Sequence, residues 1–246
     1  MFFPLLFNMK AIVLAAGYAT RLHPLTINTS KCLLEVAGRP ILDHIVEKLN
    51  ELDLDEIIVV TNARFYKDFL DWLPSAETKI PIKILNDGST CNENRLGGIA
   101  DMLLAAEKFP ADEHMFIAGD NLFDFSLKEF YNKAIQLKKP LIGVYDIGSI
   151  DKARNFGVVE LQNDKIVSFE EKPSMPKSTL VATLIYAIPN AKFYLQEYLQ
   201  NNSAKDAPGH FIKWLLNKTP CFAYKFEGKW CDIGTKEALE EARLNF

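Results

Sequence analysis

Between residues 10 and 145 the chain alternates short apolar runs with amphipathic stretches, and this leaves few folds open. The apolar runs cover residues 10–15 (KAIVLA), 56–60 (EIIVV), 82–85, 115–118 and 141–145. Unbroken runs of this length suit strands buried on both faces. Between the first two, Pro40 opens a pattern in which Ile41, Ile45, Leu49 and Leu52 recur every three or four residues. That spacing places them on one buried helix face. Residues 64–72 and 98–109 also read as helices, and Ser126 is placed to cap another that reaches residue 137. Strand and helix in alternation predict a largely parallel, doubly wound sheet. Ligands of such sheets sit at the carboxyl ends of the strands. The segments after Ala15 and after Ala118 both leave from such ends.

The second half changes character. Residues 157–161 and 166–169 flank Asn163 and Asp164, a turn signal, and read as a hairpin. A strand is expected over 179–188, helices over 191–199 and 207–217, a strand over 221–226 and a closing helix over 235–244. There is no Pro/Gly/Ser-rich linker, and no repeat of the hexapeptide β-helix kind follows. The 246 residues, 48% of them apolar, suit a single α/β domain over 10–246 behind a tail of residues 1–9. Residues 1–8 are apolar, lack a basic start, and are too short for a signal peptide or a membrane span. A net charge of −4 argues against nucleic acid as partner. The four cysteines have no metal-site spacing and the four histidines are scattered. Reduced thiols in the cytoplasm are the expectation.

Chemistry concentrates in four segments. In residues 14–31 a strand runs into a loop of small residues, Ala16, Gly17 and Thr20, and then into Arg21 and Lys31. Small side chains let backbone N–H groups approach phosphate oxygens. Arg21 offers a planar fork of donors and Lys31 a point charge. An ordinary loop with two solvated charges would look the same, and neither G-x-x-x-x-G-K-[ST] nor G-x-G-x-x-G is present. The second segment, Gly119, Asp120 and Asn121, follows an apolar strand. A carboxylate there is placed for Mg²⁺, a hard ion that prefers oxygen, although the same triplet makes a good turn. The third holds Asn155, Phe156 and Gly157 followed by Glu171, Lys172 and Pro173, and reads equally as a charged hairpin. The fourth is Gly228 to Thr235, in which Asp232 is a candidate helix cap, though Thr235 fits that position better.

These four segments, in this order, resemble the sugar-nucleotide pyrophosphorylases, the nucleotidyltransferases that include glucose-1-phosphate thymidylyl- and uridylyltransferases. That family reads roughly L-A-x-G-x-G-T-R-L-x-P-x-T, then a lysine before L-L-x-V. Here Gly17, Thr20, Arg21, Leu22, Pro24, Thr26 and Lys31 match. Ala19 replaces the second glycine and Ser30 the proline before the lysine. The resemblance spans residues 10–245. It implies a doubly wound, Rossmann-like mixed α/β sheet of the nucleotidyltransferase type, in one domain without a C-terminal β-helix. It implies a nucleotide-binding half over about 10–145 and a sugar-phosphate-binding half over about 146–235. The same match implies that Asp120 and Asp232 bind the metal. Gly157 would let the sugar approach the backbone, Glu171 would bind a sugar hydroxyl and Lys172 the sugar phosphate. Ala16, Gly17, Thr20 and Arg21 would hold the nucleotide, and Arg21 and Lys31 would act in catalysis.

The base-reading segment departs from the family. Gly98 matches a family glycine, which puts Glu93 where a glutamine often stands; a slip of one residue brings in Asn92 or Asn94. A carboxylate accepts but cannot donate, so Glu93 suits cytosine or guanine better than uracil or thymine. Thr183 stands where the family often has glycine in T-G-x-Y. The implied reaction joins an NTP to a sugar 1-phosphate with Mg²⁺ and releases pyrophosphate. A cytidylyltransferase for a non-sugar phosphate such as phosphocholine is the alternative, and a sensor without catalysis a more distant one. Neither nucleic acid nor membrane is an expected partner; homo-oligomerisation, the base and the sugar stay open.

Overall fold

The computed structural model describes residues 8–246. The first strand, β1 (Met9–Leu14), begins one residue earlier than the apolar run suggests. Met9 is fully buried and the Asn8 carbonyl accepts from the Glu113 N–H, so the tail boundary moves back from residue 9. The rest of the expected tail lies outside the described residues.

The order continues β2 (Glu35–Val36), β3 (Arg39–Pro40), α1 (Ile41–Leu49), β4 (Glu56–Thr61), α2 (Tyr66–Trp72), β5 (Ile82–Asn86), α3 (Gly98–Lys108), β6 (Glu113–Ala118), β7 (Asn121–Phe123), α4 (Lys128–Leu137) and β8 (Leu141–Asp146). The second half adds α5 (Ile150–Ala153), β9 (Gly157–Gln162), β10 (Lys165–Glu171), β11 (Leu180–Pro189), α6 (Ala191–Asn201), α7 (Pro208–Leu215), β12 (Phe222–Phe226), β13 (Trp230–Asp232) and α8 (Lys236–Asn245). Ser126 sits one residue further from α4 than expected, yet its hydroxyl still accepts from the Lys128 N–H at 3.2 Å. Thr235, not Asp232, caps α8 by accepting from the Ala238 N–H.

Nine strands form one sheet in the order β5-β4-β1-β6-β11-β8-β12-β10-β9. β5, β4, β1 and β6 are parallel, as the alternation requires. The sheet as a whole is mixed rather than largely parallel, because β11 inserts antiparallel between β6 and β8. Its run LVATLIYAIP is apolar on both sides, so a position inside the sheet suits it better than an edge. Alternation along each strand separates two cores. Ala11, Val13, Val59 and Ile117 face the side packed with Leu42, Phe69 and Phe130 of α1, α2 and α4. Ile12, Ile58 and Phe116 face the side packed with Met102, Leu195 and Phe211 of α3, α6 and α7. The described residues contain no β-helix, and no helix among them is long and apolar enough to cross a membrane.

One polar contact is buried where α3 meets the segment after β5. Asp101, 5% exposed, lies against Asp87, whose carboxylate also accepts from Ser89. Burial first, then the neighbouring Asp87 and Asp206 charges, push the Asp101 carboxyl up from 3.8 to about 8. Between those values the folded chain keeps a proton that the unfolded chain releases, so stability falls as pH rises through the window. An amide of the same shape donates to Asp87 at every pH. Asp101→Asn is therefore expected to be more stable than the parent at pH 8, with the advantage shrinking as pH falls toward 4. Denaturant unfolding across that range measures it; parallel pH profiles would refute the shared-proton account.

Candidate active site

The site is built where β1 and β6 end side by side. Leu14 is in register with Ala118, and the Gly119 N–H donates to the Leu14 carbonyl at 2.9 Å. A Cβ at Gly119 would lie 2.8 Å from Cys32 Sγ and 2.9 Å from that carbonyl oxygen, so no other residue fits this crossing without displacement. Asp120 follows immediately. Asp232 arrives from the other end of the chain on β13, which pairs antiparallel with β7 so that Asp232 faces Asn121. The Ile233 N–H closes the join by donating to the Asp120 carbonyl at 3.0 Å. Two carboxylates distant in sequence thus converge beside the first loop.

Lys31 supplies the opposing charge. A short 3₁₀ turn, Lys31–Leu33, capped by Ser30, directs its ammonium onto Asp120 Oδ2. Burial pulls the Lys31 ammonium down, but the charges of Asp120 and Asp232 override it and hold its pKa above the ordinary value. Burial, and next the Asp120 charge, push Asp232 up to about 7. Two carboxyl groups thus share one close ammonium, and Asp232 holds a proton more readily than an ordinary aspartate.

The first loop turns through Ala19 at φ 46°, ψ 44°. The family glycine at this position is thus replaced by an alanine that takes up the left-handed conformation, at a cost of about 1 kcal/mol. Thr26 Oγ1 holds the turn by donating to the Ala19 carbonyl at 2.8 Å. Arg21 is exposed in the 3₁₀ turn that follows, Thr20–Leu22.

Two cavities meet at the carboxylates. A cleft of about 800 Å³ is walled by Gly17, Thr20, Arg21, Lys31, Asp120 and Asp232. A smaller pocket of about 200 Å³ is walled by Gly157, Glu171, Leu184 and Gly209. Asp120, Asn155, Phe156, Lys172 and Asp232 belong to both. Glu171 lies against Gly209, where a Cβ would come 1.8 Å from its Oε2. Burial raises the Glu171 pKa against the pull of Lys172 and His210.

Not all of the expected residues line the cleft. Glu93 is exposed and does not line the cleft; it lies in the turn Asn92–Asn94, which Asn94 stitches by accepting from the Thr90 and Cys91 N–H groups. Asn92 lines the cleft instead, together with Arg95. Gly98 does not reach the cleft; its N–H donates to the Asp206 carbonyl at 3.1 Å, and a Cβ would lie 2.9 Å from that oxygen. Ala16 is tucked under the loop, its carbonyl accepting from Asn62 Nδ2 at 2.9 Å. Gly157 lines the small pocket, and the Phe169 ring stands 2.4 Å from where a Cβ would lie, so no side chain fits there without displacement. The left-handed residue of β11 is Leu184 at φ 54°, while Thr183 is buried and donates to the Gly143 carbonyl. Sequence reading missed the Arg95–Asp206 ion pair, 3.0 Å across the cleft rim, and Gly209. Neither carries a local signal.

The comparisons with known proteins agree with this geometry. A family model described as nucleotidyl transferase matches residues 10–246. The bifunctional protein GlmU of Methanocaldococcus jannaschii is 32% identical over 238 residues, which are 95% of this chain and 53% of that protein. The chain thus spans about half the length of that relative. The UTP–glucose-1-phosphate uridylyltransferase AglF of Haloferax volcanii is 29% identical over 95% of each chain. A crystal structure assigned as a glucose-1-phosphate thymidylyltransferase from Bacillus anthracis superposes with a TM-score of 0.84 at 26% identity, covering 96% of this chain and 94% of that one. A UDP-glucose pyrophosphorylase shares the fold, with a TM-score of 0.84 at 18% identity over 97% of this chain and 98% of that one. Fold, motif order and matched length together place the chain in the nucleotidyl transferase family.

Proposed function

We propose that this protein joins a sugar 1-phosphate to a nucleoside triphosphate, giving an NDP-sugar and pyrophosphate. The observation that carries the reading is the common wall of the two cavities. Asp120, Asp232 and Lys172 stand between a cleft long enough for a nucleotide and a pocket closed by Glu171. The division of labour expected between residues 10–145 and 146–235 is crossed at this wall, since Asp206 and Asp232 also line the nucleotide cleft.

A divalent metal fits here. Two carboxyl groups converge, a hard oxygen donor set in which the Asp120 charge raises the pKa of buried Asp232, a repulsion that a bound cation would relieve. No group of three or more such ligands assembles among the described residues, so water and substrate phosphates would complete the shell. That pattern is Mg²⁺-like. When bound, the ion would neutralise phosphate charge as pyrophosphate leaves.

The protein's own residues do the positioning. A non-bridging oxygen of the sugar phosphate attacks the α-phosphorus in line; the new P–O bond forms as the bond to the β-phosphate oxygen breaks, and pyrophosphate takes the electron pair. A phosphate monoester needs no general base to react this way, so orientation and charge neutralisation carry the rate. Lys172 would anchor the attacking phosphate from the shared wall. Gly17, Thr20 and Arg21 would hold the triphosphate, and Lys31 would meet the charge at the α-phosphate. Glu171 would take a sugar hydroxyl. The phosphocholine alternative is disfavoured because the Lys172 ammonium acts on Glu171 and would oppose a quaternary ammonium there. Four unpaired cysteines support a reducing, cytoplasmic setting.

Pyrophosphate release across a panel of NTPs and sugar 1-phosphates tests the reading and identifies base and sugar together. No turnover with any pair would refute it. Asp120→Asn and Asp232→Asn are each expected to lower kcat by about 100-fold or more with unchanged far-UV dichroism; retained turnover would remove the metal assignment. Lys172→Ala should raise KM for the sugar phosphate by an amount worth about 1.5–3 kcal/mol while NTP affinity holds. Gly209→Ala pushes the Glu171 carboxylate from its seat, so KM for the sugar phosphate should rise there too, again without a change for the NTP. A loss of NTP affinity in either variant would place these residues in the wrong chamber.

A further inference from the structure

Lys31 occupies the position that an incoming cation needs. Its ammonium lies on Asp120 Oδ2, with 15% of the lysine side chain and 22% of the aspartate side chain exposed. Among the described residues it is the one cationic side chain paired with Asp120, and Asp232 has no ion-pair partner of its own. A metal ligated by Asp120 would stand about 2.0–2.1 Å from a carboxylate oxygen, and a charged N–H···O contact spans about 2.7–2.9 Å. Two cations crowded on one carboxylate in a poorly hydrated site repel strongly. Lys31 has a flexible four-carbon stem and lines the same large cleft as Arg21 and Gly17. Its alternative partner, a phosphate, would arrive in that cleft.

We propose that Lys31 is a resident counter-ion that holds Asp120 until nucleotide arrives and then exchanges its carboxylate for phosphate, so that metal and nucleotide enter as coupled ligands. The inference rests on the reading of Asp120 and Asp232 as metal ligands. It makes Lys31 a positioning residue in the unliganded protein and a substrate contact afterwards. Because coupling is reciprocal, whatever draws Lys31 off Asp120 strengthens metal binding, and metal on Asp120 frees Lys31 for phosphate. The free protein is thereby guarded against stray divalent cations.

The test uses Mn²⁺ alone, with no nucleotide, titrated into the full chain and followed by electron paramagnetic resonance. Lys31→Met is expected to bind Mn²⁺ about tenfold or more tightly than the parent. Lys172→Met removes an equal charge from the same wall without breaking a contact to Asp120, and its gain should stay below about threefold. Equal affinity in parent and Lys31→Met, or equal gains in the two variants, would overturn the proposal, since net charge alone would then suffice. No Mn²⁺ binding in any of the three would overturn the metal site itself. A measurement on the parent protein stands beside these should Lys31→Met fold poorly. Acetic anhydride labelling of Lys31, read by mass spectrometry, should rise severalfold when Mn²⁺ saturates the protein. Labelling that stays constant while Mn²⁺ binds would show that the ammonium never left Asp120.

Discussion

The short ladder between β7 and β13 is the contact on which the site depends. Each strand has three residues, and neither belongs to the main sheet. Yet the pairing brings the last strand of the chain against the end of β6 and sets Asp232 beside Asp120. Two like charges do not gather unaided, and burial makes the encounter less favourable. The backbone hydrogen bonds of the ladder, the packing of Leu122 against Ile233 and Leu239, and the Lys31 ammonium offset that repulsion. Folding thus delivers a charge arrangement that has no stability rationale of its own, as expected of groups retained for chemistry.

Three of the seven non-glycine residues with positive φ among the described residues lie at the same place. Ala19, Lys172 and Leu184 all hold positive φ although none is glycine, and each touches the cleft, the pocket or both. Left-handed conformations at such residues persist only where the surroundings enforce them. At Ala19 the enforcement is Thr26; at Lys172 it is the hydrogen bond from its N–H to the Phe156 carbonyl at 3.0 Å. Leu184 sits at the irregularity in the register of β11 against β8, between Ala182 and Tyr186. A bulge beside a site re-aims side chains, and here it brings a leucine to the wall of the small pocket.

Much of the fold was legible in the sequence because the parallel half obeys local rules. Unbroken apolar runs, three-and-four spacing and helix caps each act over a few residues, and β1, α1, β4, β5 and α3 follow them. The insertion of β11 was not legible, since periodicity reports burial and not partner. At the site, charged residues of the four segments come together around two cavities, as their places near strand ends suggest. That Glu93 and Gly98 do not line the cleft is decided by the turn that Asn94 stitches and by the 205–208 segment, which local spacing does not report. At Gly157 the missing side chain also makes room for Phe169, a packing partner that no local pattern announces. A sequence shows that a glycine is present; only packing shows what fills the space beside it.

The segment from Lys205 to Gly209 runs from one chamber to the other. At its start the Lys205 and Asp206 backbone presses on Gly97 and Gly98, and Asp206 grips Arg95 at the rim of the large cleft. At its end Gly209 seats the carboxylate of Glu171 in the small pocket. Five residues of chain therefore border both chambers, with a close glycine contact at each end, and a single stretch of backbone shapes the nucleotide rim and the sugar-side carboxylate alike.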